Sequence, residues 1–150
     1  KYPRGSRLTE ASSEWGVRPG GVRIDLPFAE GTTLSGKYLA LDVRVMTQPV
    51  RAEDCFAMAE PKGDKVETIR IGDVEFKKLL GMDREQAGGN IYETISYAST
   101  NGHRCFEFGF TLRSASPAVF SSPPPPFDRE EESAIFKQVL STFKFIPSVK

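Results

Sequence analysis

The chain is 150 residues long, with 20 lysines and arginines set against 20 aspartates and glutamates, one histidine and two cysteines. That length suits one domain, residues 1–150, able to bury about two-thirds of its unfolded surface, and zero net charge excludes the basic field that draws in nucleic acid or an anionic membrane. No stretch reaches the ~18 apolar residues of a membrane span, and one histidine with two distant cysteines falls short of a zinc site's ligand set, so neither a membrane span nor a metal or other cofactor is expected.

Residues 1–20 read as an irregular N-terminal segment, with Lys1, Arg4 and Arg7 as solvated charges. The chain begins at a lysine rather than a methionine, so the lack of a leader signal is no evidence for a cytosolic home. Val22, Ile24, Leu26 and Phe28 then alternate with Arg23, Asp25 and Pro27, which predicts a half-buried strand whose proline marks an edge or an end. The stretch "GTTLSGKY", 31–38, comes within one residue of the phosphate-cradling loop. That loop needs a hydroxyl after its lysine to hold magnesium and a helix opening at once behind it. Here Tyr38 follows Lys37 and the next residues alternate as a strand, so a turn between strands is expected and nucleotide binding is not.

Leu39, Leu41, Val43 and Val45 form the apolar side of that second strand. Residues 47–65 read as a loop with one short helical turn around 53–59. Two further runs, 66–71 and 74–80, flank Gly72-Asp73 as a hairpin, and 81–90, with Gly88-Gly89, reads as the next loop.

The stretch "NIYETISYASTNGHRCFEFGFTLRS", 90–114, carries a phenylalanine at alternate positions around 106–110. Asn101-Gly102 is a strong hairpin signal, because both tolerate the positive φ of a tight two-residue turn. With those two at the tip, Tyr97 faces Phe106, Ile95 faces Phe108, Glu93 faces Phe110 and Ile91 faces Leu112, making one apolar face with Glu93 as its exception. The opposite face pairs Ala98 with Cys105 and Ser96 with Glu107, small and polar enough to be solvated or lightly covered. His103 and Cys105 suggest a base beside a thiol nucleophile, but no third group can be identified, so the phenylalanines and their neighbours read as the inside of a sheet.

Beyond it, "SASPAVFSSPPPPFD" is a proline-rich connector whose four prolines, Pro123, Pro124, Pro125 and Pro126, fix an extended segment. A ligand for proline-binding grooves is one reading; a stiff lead-in to the following helix is the preferred one. Asp128 is the expected N-cap, with Glu131 three residues on completing a capping box. Ile135, Phe136, Val139, Leu140 and Phe143 then form one helical stripe that ends near 142–144, ahead of Pro147. Strands first and an amphipathic helix last predict an α+β fold, an antiparallel β-sheet with a C-terminal helix packed on it.

By themselves, Cys55 and Cys105 fit one disulfide about as well as two buried thiols. The stretches "IDLPFAEGTTLSGKYLALDVRV", "RCFEFGFTL" and "FDREEESAIFKQVLSTFKF" resemble the PsbP-like group, named for an accessory protein of photosystem II and related in fold to a Ran-binding import factor. They are most similar to exported bacterial proteins and lipoproteins of that group, over about residues 22–146. The resemblance implies an α-β-α sandwich, an exported location with room for a lipid anchor upstream of Lys1, and a bridge between Cys55 and Cys105. It also implies a non-enzymatic role, binding or assembling with another protein. Retention of manganese, calcium or chloride is not carried over, because matching ligand residues are lacking. The rival expectation is a small-ligand carrier or enzyme, using a pocket near the sheet/helix interface or the His103/Cys105 corner.

Overall fold

The computed structural model describes residues 4–10, 21–56, 66–86 and 88–145. Seven strands form one antiparallel sheet: β1 (Arg7–Glu10), β2 (Val22–Asp25), β3 (Leu34–Val45), β4 (Glu67–Ile71), β5 (Val74–Gln86), β6 (Asn90–Asn101) and β7 (Arg104–Ala115). Their order in space is β1-β2-β3-β7-β6-β5-β4, so two meanders join where β3 meets β7. The helix α1 (Arg129–Ser141) lies across one face, which makes the fold α+β.

The alternation in β3 and β7 sends Leu39, Phe108, Phe110 and Leu112 to the helix side, and all four are buried. Phe136 of α1 stacks on Phe110, ring centres 4.5 Å apart. Two residues beyond the helix end, Phe143 lies 4.9 Å from Phe108 and 5.9 Å from Phe76, edge to face in both cases. Such pairs each add about 0.5–1.5 kcal/mol to the burial of their surface. Asp128 caps the helix by accepting from the N–H groups of Glu130 (2.9 Å) and Glu131 (3.1 Å), which satisfies two donors that the first turn leaves unpaired.

A second anchor is ionic. Glu132 belongs to an acidic run, yet its place in the first turn of α1 points it inward, where its carboxylate accepts from Lys37 Nζ (2.5 Å) and from the backbone N–H of Ala29 (2.8 Å). Lys37 projects from β3 on the helix side, opposite Leu112, and both charged side chains are buried. The lysine of the phosphate-loop-like stretch is therefore a strand residue that ties the sheet to the helix.

Several expectations need correction. The hairpin turns at Gly102-His103, not Asn101-Gly102, so Tyr97 faces Phe108, Ile95 faces Phe110 and Ser99 faces Phe106. Gly102 takes the positive φ (61°) at the first turn position while Asn101 pairs with Arg104. Each partner moves by two residues, which preserves the faces, since strand side chains alternate with a period of two. Glu93, opposite Leu112, is paired with Arg129 at 2.8 Å. Residues 81–86 continue β5 rather than forming a loop, because β6 supplies hydrogen-bonding partners along them. Arg7–Glu10 is a strand, not part of an irregular segment: pairing with β2 satisfies its backbone despite the polar composition. The first predicted strand ends at Asp25, and the short helical turn is a 3-10 turn at Ala52–Cys55. Residues 57–59, the remainder of that predicted turn, and the loop residues 60–65 lie outside the described residues.

Two outcomes follow. Lys37→Met should cost about 3–5 kcal/mol in urea unfolding, since it strands a buried carboxylate. The double change Lys37→Met with Glu132→Leu should recover most of that loss, the shortfall coming from the Ala29 N–H left without its acceptor. Burial also raises the Tyr97 phenol above its ordinary 10.0. The neutral phenol is the form favoured by folding, so its contribution is complete below about pH 10 and is lost as pH rises through the raised native value. Unfolding free energies measured from about pH 9 to 11 should fall less steeply in Tyr97→Phe than in the parent.

Candidate functional site

Cys55 and Cys105 are joined by a disulfide, with their Cα atoms 5.5 Å apart. Cys105 lies one pair beyond the hairpin tip on β7 and points to the face opposite α1, while Cys55 ends the 3-10 turn. Both are fully buried, with Ala98 beneath them and Met46, Val50 and Phe56 packed around. The bond therefore clamps the segment after β3 onto the far face of the sheet.

Next to it is a charged cluster set by strand register. Asp42 of β3 stands opposite Glu107 of β7, and Arg44 opposite Cys105. Arg44 donates through Nη2 to the Cys55 carbonyl and lies 3.7 Å from Glu107; its Nε is 3.2 Å from Asp42, at an angle that makes an ion pair without a hydrogen bond. Glu107 is 0% exposed and Asp42 3%. The same face buries Ser96, Ala98, Ala40 and Leu79, so of the two states its small and polar residues allow, solvated or covered, it is covered. A buried pair is broken at a cost of several kcal/mol but rarely adds net stability against an apolar substitute. What Arg44 supplies is orientation: one guanidinium fixes the disulfide turn relative to two buried carboxylates.

The His103/Cys105 corner has no free thiol, because Cys105 is in the disulfide. His103 is an exposed turn residue, and its carbonyl accepts from Met46 N–H at 2.7 Å. Its backbone thus helps hold the segment that carries Cys55.

A cleft of about 440 Å³ opens at the end of the sheet, between the 3-10 turn, the β4–β5 turn and Phe145. Its lining includes Arg51, Glu53, Asp73, Glu75 and Lys77, together with Ser99 and Thr100. Glu53 and Lys77 pair at 3.0 Å, and Ser99 donates to the Glu75 carbonyl at 2.8 Å. The Glu53 carboxyl is held below its ordinary range, first by a hydrogen bond from its own backbone amide and next by Lys77. The Asp54 carboxyl is lowered by hydrogen bonding from Arg51. These groups stay ionised at neutral pH and are partnered, which suits noncovalent contact with a polar surface rather than proton transfer. Among the described residues no three His, Cys, Asp or Glu side chains converge as metal ligands, and no helix is long and apolar enough to cross a membrane.

Sequence reasoning identified the two cysteines but missed Asp42, Arg44 and Glu107. Alternation places Asp42 and Arg44 with the polar side of a strand, and their burial follows only from what covers that side. No protein-family model and no curated protein matches the sequence. A similar fold is seen in a crystal structure from Bacteroides thetaiotaomicron VPI-5482 at 1.50 Å resolution, with a TM-score of 0.60 and 15% identity. The match covers 98% of this chain and 44% of that one, so the chain spans less than half of its structural neighbour's length. At that identity the likeness extends to fold alone.

Replacing Cys55 and Cys105 by alanine should lower stability by roughly 4 kcal/mol, the chain-entropy value for a loop of about 50 residues. Urea unfolding measures it. In protein made in an oxidising compartment, alkylation in denaturant without reductant should label neither cysteine, and intact mass would reveal two labelled thiols if the bond were absent.

Proposed function

We propose that this chain is an exported, non-enzymatic domain that binds another protein through its surface, with the PsbP-like α-β-α sandwich as its architecture. The observation that carries the non-catalytic reading is the commitment of the reactive groups. Cys105 is bonded to Cys55, Lys37 is neutralised by Glu132, and His103 stands exposed at a turn. The core beneath the helix is aromatic and buried, with Phe76 0% exposed, Phe136 1% exposed and Phe136 stacked on Phe110. Support for a third layer comes from the sheet, whose central strands are buried on both sides: Phe110 and Leu39 toward the helix, Ser96 and Ala40 away from it. Support for export comes from the disulfide, since such bonds persist in oxidising compartments. A lipid anchor upstream of Lys1 is compatible with this reading.

The polar cleft at the end of the sheet favours a second reading, a small-ligand carrier, because its volume lies within the range of roughly 300–1,000 Å³ usual for ligand pockets. Its charged, internally paired walls differ from the largely apolar lining of such pockets.

Affinity capture from the source organism's envelope fraction, with crosslinking and mass spectrometry, should return a reproducible protein partner. Capture that never rises above a control bead would refute the binding reading, and a thermal shift with a small metabolite, abolished by Lys77→Ala, would establish the carrier in its place.

A further inference from the structure

The proline-rich connector is more than a spacer. Residues 122–125 each precede a proline, which drives their ψ to the extended region, and each pyrrolidine ring fixes φ near −65°. The described chain contains no cis peptide bonds. The segment is therefore a left-handed polyproline II helix by covalent constraint, with three residues per turn and a rise of about 3.1 Å per residue.

Its burial follows that threefold period. Pro124 and Phe127 are half-buried, whereas Ser122, Pro123, Pro125 and Pro126 are exposed. Phe127 packs against the main core under the Arg129 guanidinium, 5.4 Å from its ring, and the Pro125 carbonyl accepts from Thr33 N–H at 3.0 Å. One edge of the triangular helix is thus docked on the domain, and the other two face outward. Those two edges carry Ser122-Pro123 and Pro125-Pro126, which together make a P-x-x-P ligand. Grooves that recognise such ligands receive two edges and leave the third free. The third edge here is Pro124, the one turned into the domain. Just upstream, Val119 is 53% exposed and Phe120 39% exposed, adding apolar surface close to the segment in sequence.

We propose that residues 122–126 form a preassembled polyproline ligand, displayed to an aromatic-lined, proline-binding groove on a partner protein. The inference rests on the partner-binding reading above and supplies its contact surface. Anchoring at Thr33 and Phe127 removes conformational freedom that a free proline peptide would lose on binding. It also reconciles the two roles open to this stretch, since the edge that leads into α1 is not the surface offered outward.

The test titrates the intact chain with a purified SH3 domain and, separately, a purified WW domain, followed by amide chemical shifts. Expected are saturable shifts confined to the amides of Val119, Phe120, Ser121, Ser122, Phe127 and Thr33 with at least one probe. Pro123→Ala combined with Pro126→Ala should weaken that binding at least tenfold, with an unchanged thermal midpoint showing the fold intact. No shifts with either probe at millimolar concentration, or equal affinity in the double variant, would overturn the polyproline proposal. Envelope capture repeated with the double variant separates the two levels: a partner recovered equally by parent and variant defeats the polyproline surface alone, and one recovered by neither defeats the binding reading itself.

Discussion

The seam between β3 and β7 is the contact on which the rest of the molecule depends. It joins the three-strand meander β1–β3 to the four-strand meander β4–β7 across a long stretch of intervening chain, along nearly the whole length of both strands. Closing so large a loop costs conformational entropy before any contact forms. What offsets it is burial on both sides of the seam at once. Leu39 and Leu41 meet Phe110 and Phe108 toward the helix, while Ala40 and Asp42 meet Gly109 and Glu107 on the other side. A one-residue slip would exchange these sets and bring the charges to the aromatic core, so the register is strongly specified.

From that register the two faces acquire different chemistries. Toward α1 the contacts are aromatic, and the buried Lys37 of the sheet is met by the buried Glu132 of the helix. Away from α1 the seam brings Arg44 opposite Cys105 and Asp42 opposite Glu107, so the disulfide and the ionic cluster form one unit. Charges this deeply buried are tolerated only when paired. The disulfide turn supplies part of that pairing by presenting the Cys55 carbonyl to Arg44. Covalent and ionic constraints therefore hold the same segment, and both rest on the seam.

This arrangement places the exposed chemistry at the margins of the sheet. The polar cleft lies at one end, by the β4–β5 turn, and the outward edges of the polyproline segment lie where the chain leaves β7 for α1. Both are exposed and lie beside regular elements of the sheet and helix. A polyproline helix has no internal hydrogen bonds to break, so its carbonyls and rings are available to a second protein wherever the domain does not cover them.

Local patterns in the sequence were sufficient for the strand periodicities, the Gly72-Asp73 turn, the Asp128 cap and the apolar stripe of α1, because each depends on steric preferences and hydrogen bonds within a few residues. They were insufficient for the hairpin tip, where Asn101-Gly102 and Gly102-His103 both offer glycine a positive φ and differ by a register that keeps the faces the same. Pairing with β2 and β6, respectively, made strands of Arg7–Glu10 and the far end of β5, since an extended backbone can be stabilised by a neighbour when its own side chains are polar. Burial of Asp42, Glu107 and Glu132 likewise belongs to the tertiary structure. A carboxylate looks the same on a solvated face and beneath a second layer; what differs is the partner brought to it from a distant part of the chain, Arg44 for the first two and Lys37 for the third.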